Sequence, residues 1–302
     1  MPQGSYKGRP CDVIQLSPII ATSEERSFMH SLDSKNLPLA GQVAVVTGST
    51  QGIGAGIVRQ FAKAGARIVV HGLESHRPQG EKLVNEIESS GSEALLVAGD
   101  LKQEDHCRDL IRQAVHRFGQ LDILVNNAGI YPRASLETTS VALWDEIFAT
   151  NLRAPFILCR EAIAYMKPRS RGCIINIGSV AAYVGYPSMM AYCVAKGGMM
   201  TFTKNLADSL KQYRIRVNQI NPGWVLTEGE HHMRSVVEGL GENWLNEALK
   251  TRPFGRLLLP EDIANAALFV ASDELLNGAI IDYDQMPVGA PSPAATLRAP
   301  EK

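Results

Sequence analysis

From Leu39 onward the chain repeats one theme: a short aliphatic, often β-branched run, then a stretch whose apolar positions return every three or four residues. The runs are Val43–Thr47, Arg67–His71, Ala94–Ala98, Ile123–Asn126, Cys173–Ile177 and Arg216–Ile220, with Ala279–Tyr283 as a last candidate. They are continuously apolar rather than alternating, the pattern of strands covered on both faces. Interleaved with amphipathic stretches, they predict an α/β fold: a single doubly wound parallel sheet of about seven strands flanked by helices. Ile53–Ala64 puts Ile57, Phe61 and Ala64 on one helical face and stops at Gly65. Glu104–Phe118 ends in the same way at Gly119. Tyr192–Leu210 predicts a long helix, with Ala191, Ala195, Gly197 and Gly198 allowing close packing near its start.

Residues 1–38 break this pattern with Pro2, Gly4, Gly8, Pro10, Pro18 and Pro38, and read as an N-terminal extension or arm. Residues 39–289 contain no internal repeat and predict one domain. Residues 290–302, with Pro291, Pro293 and Pro300, read as a C-terminal tail. Thirty Lys plus Arg against thirty-one Asp plus Glu give a net charge of -1, with no basic block to track a phosphate backbone. No apolar run reaches the roughly 20 residues of a membrane span, and no basic-then-apolar leader opens the chain. These features predict a cytoplasmic protein with neither nucleic acid nor membrane as partner. The five cysteines, Cys11, Cys107, Cys159, Cys173 and Cys193, lack Cys-x-x-Cys spacing and read as reduced packing thiols.

Chemistry enters at the end of the first strand. Gly48-Ser49-Thr50-Gln51-Gly52-Ile53-Gly54 follows it directly and opens a helix. Glycines there let the backbone turn sharply and approach a ligand, while the helix N-terminus offers free N–H groups to a pyrophosphate. Many strand-to-helix turns use glycine for geometry alone, so the turn gains meaning from its surroundings.

With the Gly-x-x-x-Gly-x-Gly spacing and with Asn126-Asn127-Ala128-Gly129 closing the fourth strand, the chain resembles the short-chain dehydrogenase/reductase family over roughly residues 39–285. The resemblance implies a Rossmann-like sheet and a bound NAD or NADP. It implies cofactor contacts from Gly48, Thr50, Gln51, Gly52, Ile53 and Gly54, and from Gly72 at the second strand's end. Asp100 and Leu101 would lie by the adenine and Asn126, Ala128 and Gly129 along the adenosine side. Pro222, Gly223, Val225 and Thr227 would close over the nicotinamide amide. For Asn127, bracing of the turn suffices. Where an acidic side chain would select NAD this chain has Gly72, and neither Gln51 nor Leu73 is the base that NADP-preferring relatives carry. A 2′-phosphate without a cation is poorly held, so the reading leans to NAD, while His71, His76 and Arg77 keep NADP open.

Tyr192 and Lys196 stand at i and i+4, one helical turn apart on one face. The pair alone is commonplace. Ser179, thirteen residues before Tyr192 at a strand end, and Asn151 complete the set that the resemblance implies to be catalytic. A free tyrosine ionises near pH 10, and a Lys ammonium together with a positive nicotinamide ring would favour the phenolate. Tyr192 would then exchange a proton with the substrate oxygen during hydride transfer, and Ser179 would steady the developing alkoxide. Lys196 would also hold the nicotinamide ribose, and Asn151 would organise a water linking Lys196 to solvent. None of these steps requires a metal.

Glu228–His232 reads as a solvated loop, since adjacent histidines point apart and no further ligand is placed by spacing. Trp224 to Phe254 falls where relatives place a substrate-covering segment, in which Trp224, Met233 and Trp244 either shape a pocket or pack a lid. The favoured function is NAD(P)-dependent interconversion of a secondary alcohol, a sugar or hydroxy acid among them, and a ketone. Reduction of a 3-oxoacyl thioester is one alternative. A catalytically idle cofactor-sensing or scaffold protein on the same fold is another, though such proteins often lose the tyrosine or lysine present here. The family resemblance also implies a homo-oligomer, a tetramer or dimer.

Overall fold

The computed structural model describes residues 37–288. The arm expected over residues 1–38 falls outside them except for its last two positions, and the tail expected over 290–302 falls wholly outside.

Seven strands form one parallel sheet: β1 (Val43–Val46), β2 (Arg67–Gly72), β3 (Ala94–Ala98), β4 (Ile123–Asn126), β5 (Gly172–Ile177), β6 (Ile215–Pro222) and β7 (Ile280–Tyr283). Their order is β3-β2-β1-β4-β5-β6-β7. Because consecutive side chains point to opposite faces, β1 sends Ala44 and Val46 into one core and Val43 and Val45 into the other. The first core is closed by α1 (Gly52–Lys63), α2 (Arg77–Ser89) and α9 (Pro260–Ser272), through Ile57, Phe61, Leu83, Ile263 and Val270. The second is closed by α3 (Glu104–Phe118), α5 (Ala154–Met166) and α6 (Met190–Leu210), through Leu110, Ile111, Leu158, Met166 and Leu210. Burial on both faces is why the strands carry unbroken apolar runs.

The predicted elements reappear with ends moved by one or two residues. Cys107, Cys159, Cys173 and Cys193 are free thiols, the first three buried. Among the described residues no helix is long and apolar enough to cross a membrane.

The remaining helices build the substrate side. α4 (Val141–Phe148) runs into a π-helical turn, Ala149–Arg153, that continues into α5. After β6 come α7 (Glu228–His232), a second π-helical turn (Met233–Val237) and α8 (Trp244–Lys250). The sheet order reverses between β1 and β4, the place where open α/β sheets leave a crevice beyond their strand ends.

Candidate active site

A cleft of about 760 Å³ opens along the C-terminal ends of the strands. One end of it is shaped by the glycine turn after β1. Gly48 and Gly52 have φ of +61° and +54°, the left-handed region in which side chains are strained. A Cβ on Gly48 would stand 2.9 Å from Ala128 Cα. The N-cap of α1, Gln51, makes no side-chain capping bond, so the first amides of the helix are not consumed by a cap. Thr47 and Asn127 lock the turn to β4: Thr47 Oγ1 accepts from the amides of Asn127 and Ala128 at 3.0 Å, and Asn127 Nδ2 donates to the carbonyls of Thr47 and Gly48. A backbone cradle with free helix amides suits a dinucleotide pyrophosphate.

Most residues expected to touch the cofactor line this cleft: Gly48, Thr50, Gln51, Gly52, Ile53, Gly72, Asp100, Leu101, Ala128, Gly129, Pro222, Gly223, Val225 and Thr227. Two do not. Asn126 is 3% exposed, and its Nδ2 donates to Asn176 Oδ1 at 2.8 Å and to Cys159 Sγ, within the sheet interior. Gly54 lies beneath the turn, where a Cβ would be 2.4 Å from the Gly48 carbonyl oxygen. Both are engaged in packing contacts next to the cleft. Thr227 spends its hydroxyl capping α7, accepting from Glu230 N at 3.0 Å.

Gly72 sits close against Thr50: a Cβ at this position would meet Thr50 Cγ2 at 2.5 Å, so an acidic side chain here would require the Thr50 side chain to move. Beside it His71, buried at the end of β2, accepts from Gly48 N through Nδ1 at 3.2 Å and meets His106 Nε2 through its own Nε2 at 3.3 Å. Burial, with His106 adding to it, pushes the His71 imidazole down to about 3, so it stays neutral.

At the other end Tyr192, Ser179 and Lys196 line the same cleft, delivered by α6 and by the end of β5. Burial pushes the Tyr192 phenol up to about 12, while Ser179 and the Arg133 charge pull the other way. In the protein alone the loss of hydration outweighs these neighbours. Lys196 is 4% exposed, its Nζ donates to the Ile177 carbonyl at 2.7 Å, and burial lowers it to about 8. Its Nζ stands 5.6 Å from the centroid of the Tyr192 ring.

Asn151 does not line the cleft. Within the π-helical turn, its Oδ1 accepts from Ile130 N and its Nδ2 donates to Ile130 O, both at 2.8 Å. A Cβ on Gly129 would be 3.0 Å from Asn151 Oδ1 and 3.7 Å from Lys196 Nζ, so the two side chains flank that glycine. Asn151 therefore braces the loop after β4 directly.

Glu228–His232 is a helix rather than the solvated loop that its composition indicates. Glu230, 7% exposed, accepts from Trp224 Nε1 and Arg234 Nε, both at 2.8 Å. Trp224 lines the cleft, whereas Trp244 packs behind it with ring centroids 6.0 Å apart, and Met233 lies away from it. Tyr131, Arg133, Arg234 and Arg252 also line the cleft and carry no sequence signal of that role, because they meet only in the folded chain.

Comparison with known proteins agrees with this arrangement. A family model described as short chain dehydrogenase matches residues 42–237. A 3-oxoacyl-[acyl-carrier-protein] reductase of Chlamydia pneumoniae is 35% identical over 237 residues, 78% of this chain and 92% of that protein. Among solved structures, a candidate gluconate dehydrogenase from Agrobacterium tumefaciens is 33% identical with a TM-score of 0.74, covering 82% of this chain and 96% of that one. A candidate NAD(P)-dependent gluconate 5-dehydrogenase from Beutenbergia cavernae, with NADP bound at low occupancy, is 30% identical with a TM-score of 0.73 and the same coverages.

Proposed function

Since this chain belongs to the short-chain dehydrogenase/reductase family and is an NAD(P)-dependent oxidoreductase acting on CH–OH groups, we propose that Tyr192 is its general acid/base, acting on a polar secondary alcohol or its ketone. The observation that carries the reading is the meeting of Tyr192, Ser179 and Lys196 with the glycine cradle in one cleft. Bound in the glycine cradle, a nicotinamide cofactor would supply or accept the hydride. In reduction the phenol, protonated at neutral pH, donates to the carbonyl oxygen while the Ser179 hydroxyl steadies the developing alkoxide. In oxidation the phenolate oxygen, formed when nearby positive charge favours ionisation and the phenol proton has passed to solvent, takes the alcohol proton. Lys196, which lines the cleft, would hold the nicotinamide ribose.

NAD is the preferred cofactor in this reading. Leu73 and His76 line the cleft beyond Gly72, while Arg77 is turned into an ion pair with Glu74 at 2.6 Å. A 2′-phosphate would therefore find no guanidinium free to receive it. The protein works in the cytoplasm as a homo-oligomer, joined through α5 and α6, where Phe156 and Val194 are 47% and 48% exposed. Thioester reduction is the second reading, favoured by the resemblance to the chlamydial reductase. Absorbance of the reduced nicotinamide, followed across polyols, hydroxy acids, ketones and acyl thioesters with each cofactor, separates the two. Tyr192→Phe, which removes one hydroxyl from a packed ring, is expected to abolish turnover; activity near the wild-type level would defeat the assignment.

A further inference from the structure

The wall of the cleft beyond Gly223 holds charges that hydride and proton transfer do not use. Arg133 Nε bonds Glu238 Oε1 at 3.0 Å, Arg234 Nη1 bonds Glu238 Oε2 at 2.8 Å, and Arg234 Nε bonds Glu230 Oε1 at 2.8 Å. Two guanidiniums and two carboxylates cancel in this chain of ion pairs. Arg252 stands outside it. Its Nε donates to Thr251 Oγ1 at 3.0 Å, and its guanidinium carbon lies 5.4 Å from the centroid of the Trp224 ring. Neither of its terminal nitrogens has a hydrogen-bond or carboxylate partner among the described residues, yet the side chain lines the cleft that contains Tyr192.

A guanidinium steadied by an aromatic face and by one Nε bond, with both terminal nitrogens unspent, matches a planar two-oxygen acceptor. Asp284 also lines the cleft; its Oδ1 accepts from Gln285 N at 2.8 Å and its carboxylate stands against Gly223. We infer that Arg252 receives the carboxylate of a hydroxy-acid substrate, or of the corresponding oxo acid, whose reacting carbon lies at Tyr192 and Ser179. This rests on the alcohol oxidoreductase reading and names its substrate class. Hydride leaves the carbinol carbon for the nicotinamide, the hydroxyl proton goes to Tyr192, and the carboxylate is unchanged throughout.

The test compares kcat/KM for D-gluconate, L-threonate and D-glycerate with that for D-glucitol, L-threitol and glycerol, which replace the carboxylate by a neutral carbinol, using saturating NAD or NADP. Neutral ketones and an acetoacetyl thioester are assayed in reverse. The wild-type protein is expected to favour at least one acid over its neutral counterpart by about ten-fold or more, the usual range for a charge-assisted pair. Arg252→Met should remove most of that preference through KM. Arg252→Lys, which keeps the charge without the fork and serves if the Met variant fails to fold, should retain part of it. Arg112→Met, at an exposed residue paired with Glu161, should leave the preference intact. Neutral alcohols, ketones or the thioester turned over in preference to every acid, or an acid preference surviving in Arg252→Met, would overturn the inference and leave the oxidoreductase reading standing. Absence of any nicotinamide-linked turnover across all probes would defeat that reading as well.

Discussion

Replacing Lys196 by Met tests the price of placing an ammonium beneath the cleft. The side chain is 4% exposed and has one hydrogen-bond partner among the described residues, the Ile177 carbonyl. Burial moves its ionisation from 10.5 to about 8, which at about 1.4 kcal/mol per unit disfavours the charged native form by about 3 kcal/mol. Met keeps the unbranched shape without the charge. Losing the bond to Ile177 offsets about 1–2 kcal/mol of the gain, so the variant is expected to be about 1–2 kcal/mol more stable than wild type at pH 7 while losing activity. The pH dependence fixes the cause. With the native ionisation below that of the unfolded chain, the unfolded state binds more protons between pH 8 and 10.5, and wild-type stability rises across that window. The advantage of the Met variant should shrink accordingly. Urea unfolding of both proteins without nucleotide, at one protein concentration and at pH 7, 8, 9 and 10, reads this directly. A variant less stable than wild type at pH 7, or an advantage unchanged up to pH 10, would refute the reasoning.

Three further substitutions separate packing from binding. Gly54→Ala places a Cβ 2.4 Å from the Gly48 carbonyl oxygen, so a loss of about 1–3 kcal/mol in stability is expected, with weaker NAD binding in a fluorescence titration. Asn126→Ala leaves Asn176 Oδ1 without its donor; thermal denaturation should show about 1–3 kcal/mol of destabilisation, with the NAD dissociation constant little changed. Leu73, 45% exposed at the cleft, has room for a longer side chain, and Leu73→Arg should raise kcat/KM for NADP by about ten-fold through a new phosphate contact. An unchanged ratio of NAD to NADP use would count against the proposed cofactor preference.

The legibility of this chain followed the range of each interaction. Strand and helix identity depends on which faces a segment buries, and that is written in local periodicity, so β1 to β7 and α1, α3 and α6 were readable to within one or two residues. The glycine turn was readable because its stereochemistry is local: a positive φ at Gly48 and the close approach of Gly54 permit no other residue comfortably. Tyr192 and Lys196 were readable as a pair because helical geometry places them together.

Direction and environment belonged to the tertiary structure. Sequence position alone put Asn126 at the end of a strand; the hydrogen bond it donates to Asn176 on β5 decided that its side chain faces the interior. The same holds for Tyr192, whose ionisation depends on how much water the folded cleft removes. Composition marked Glu228–His232 as polar and therefore exposed, but Trp224 and Arg234 converge on Glu230 and bury it. Arg252 acquires its meaning only from Trp224, twenty-eight positions earlier in the chain. Local periodicity thus determined the strands and the helices α1, α3 and α6, and local stereochemistry the glycine turn. The protonation states and the charged wall facing the substrate were set by long-range packing, because desolvation and charge pairing depend on neighbours that only the complete fold supplies.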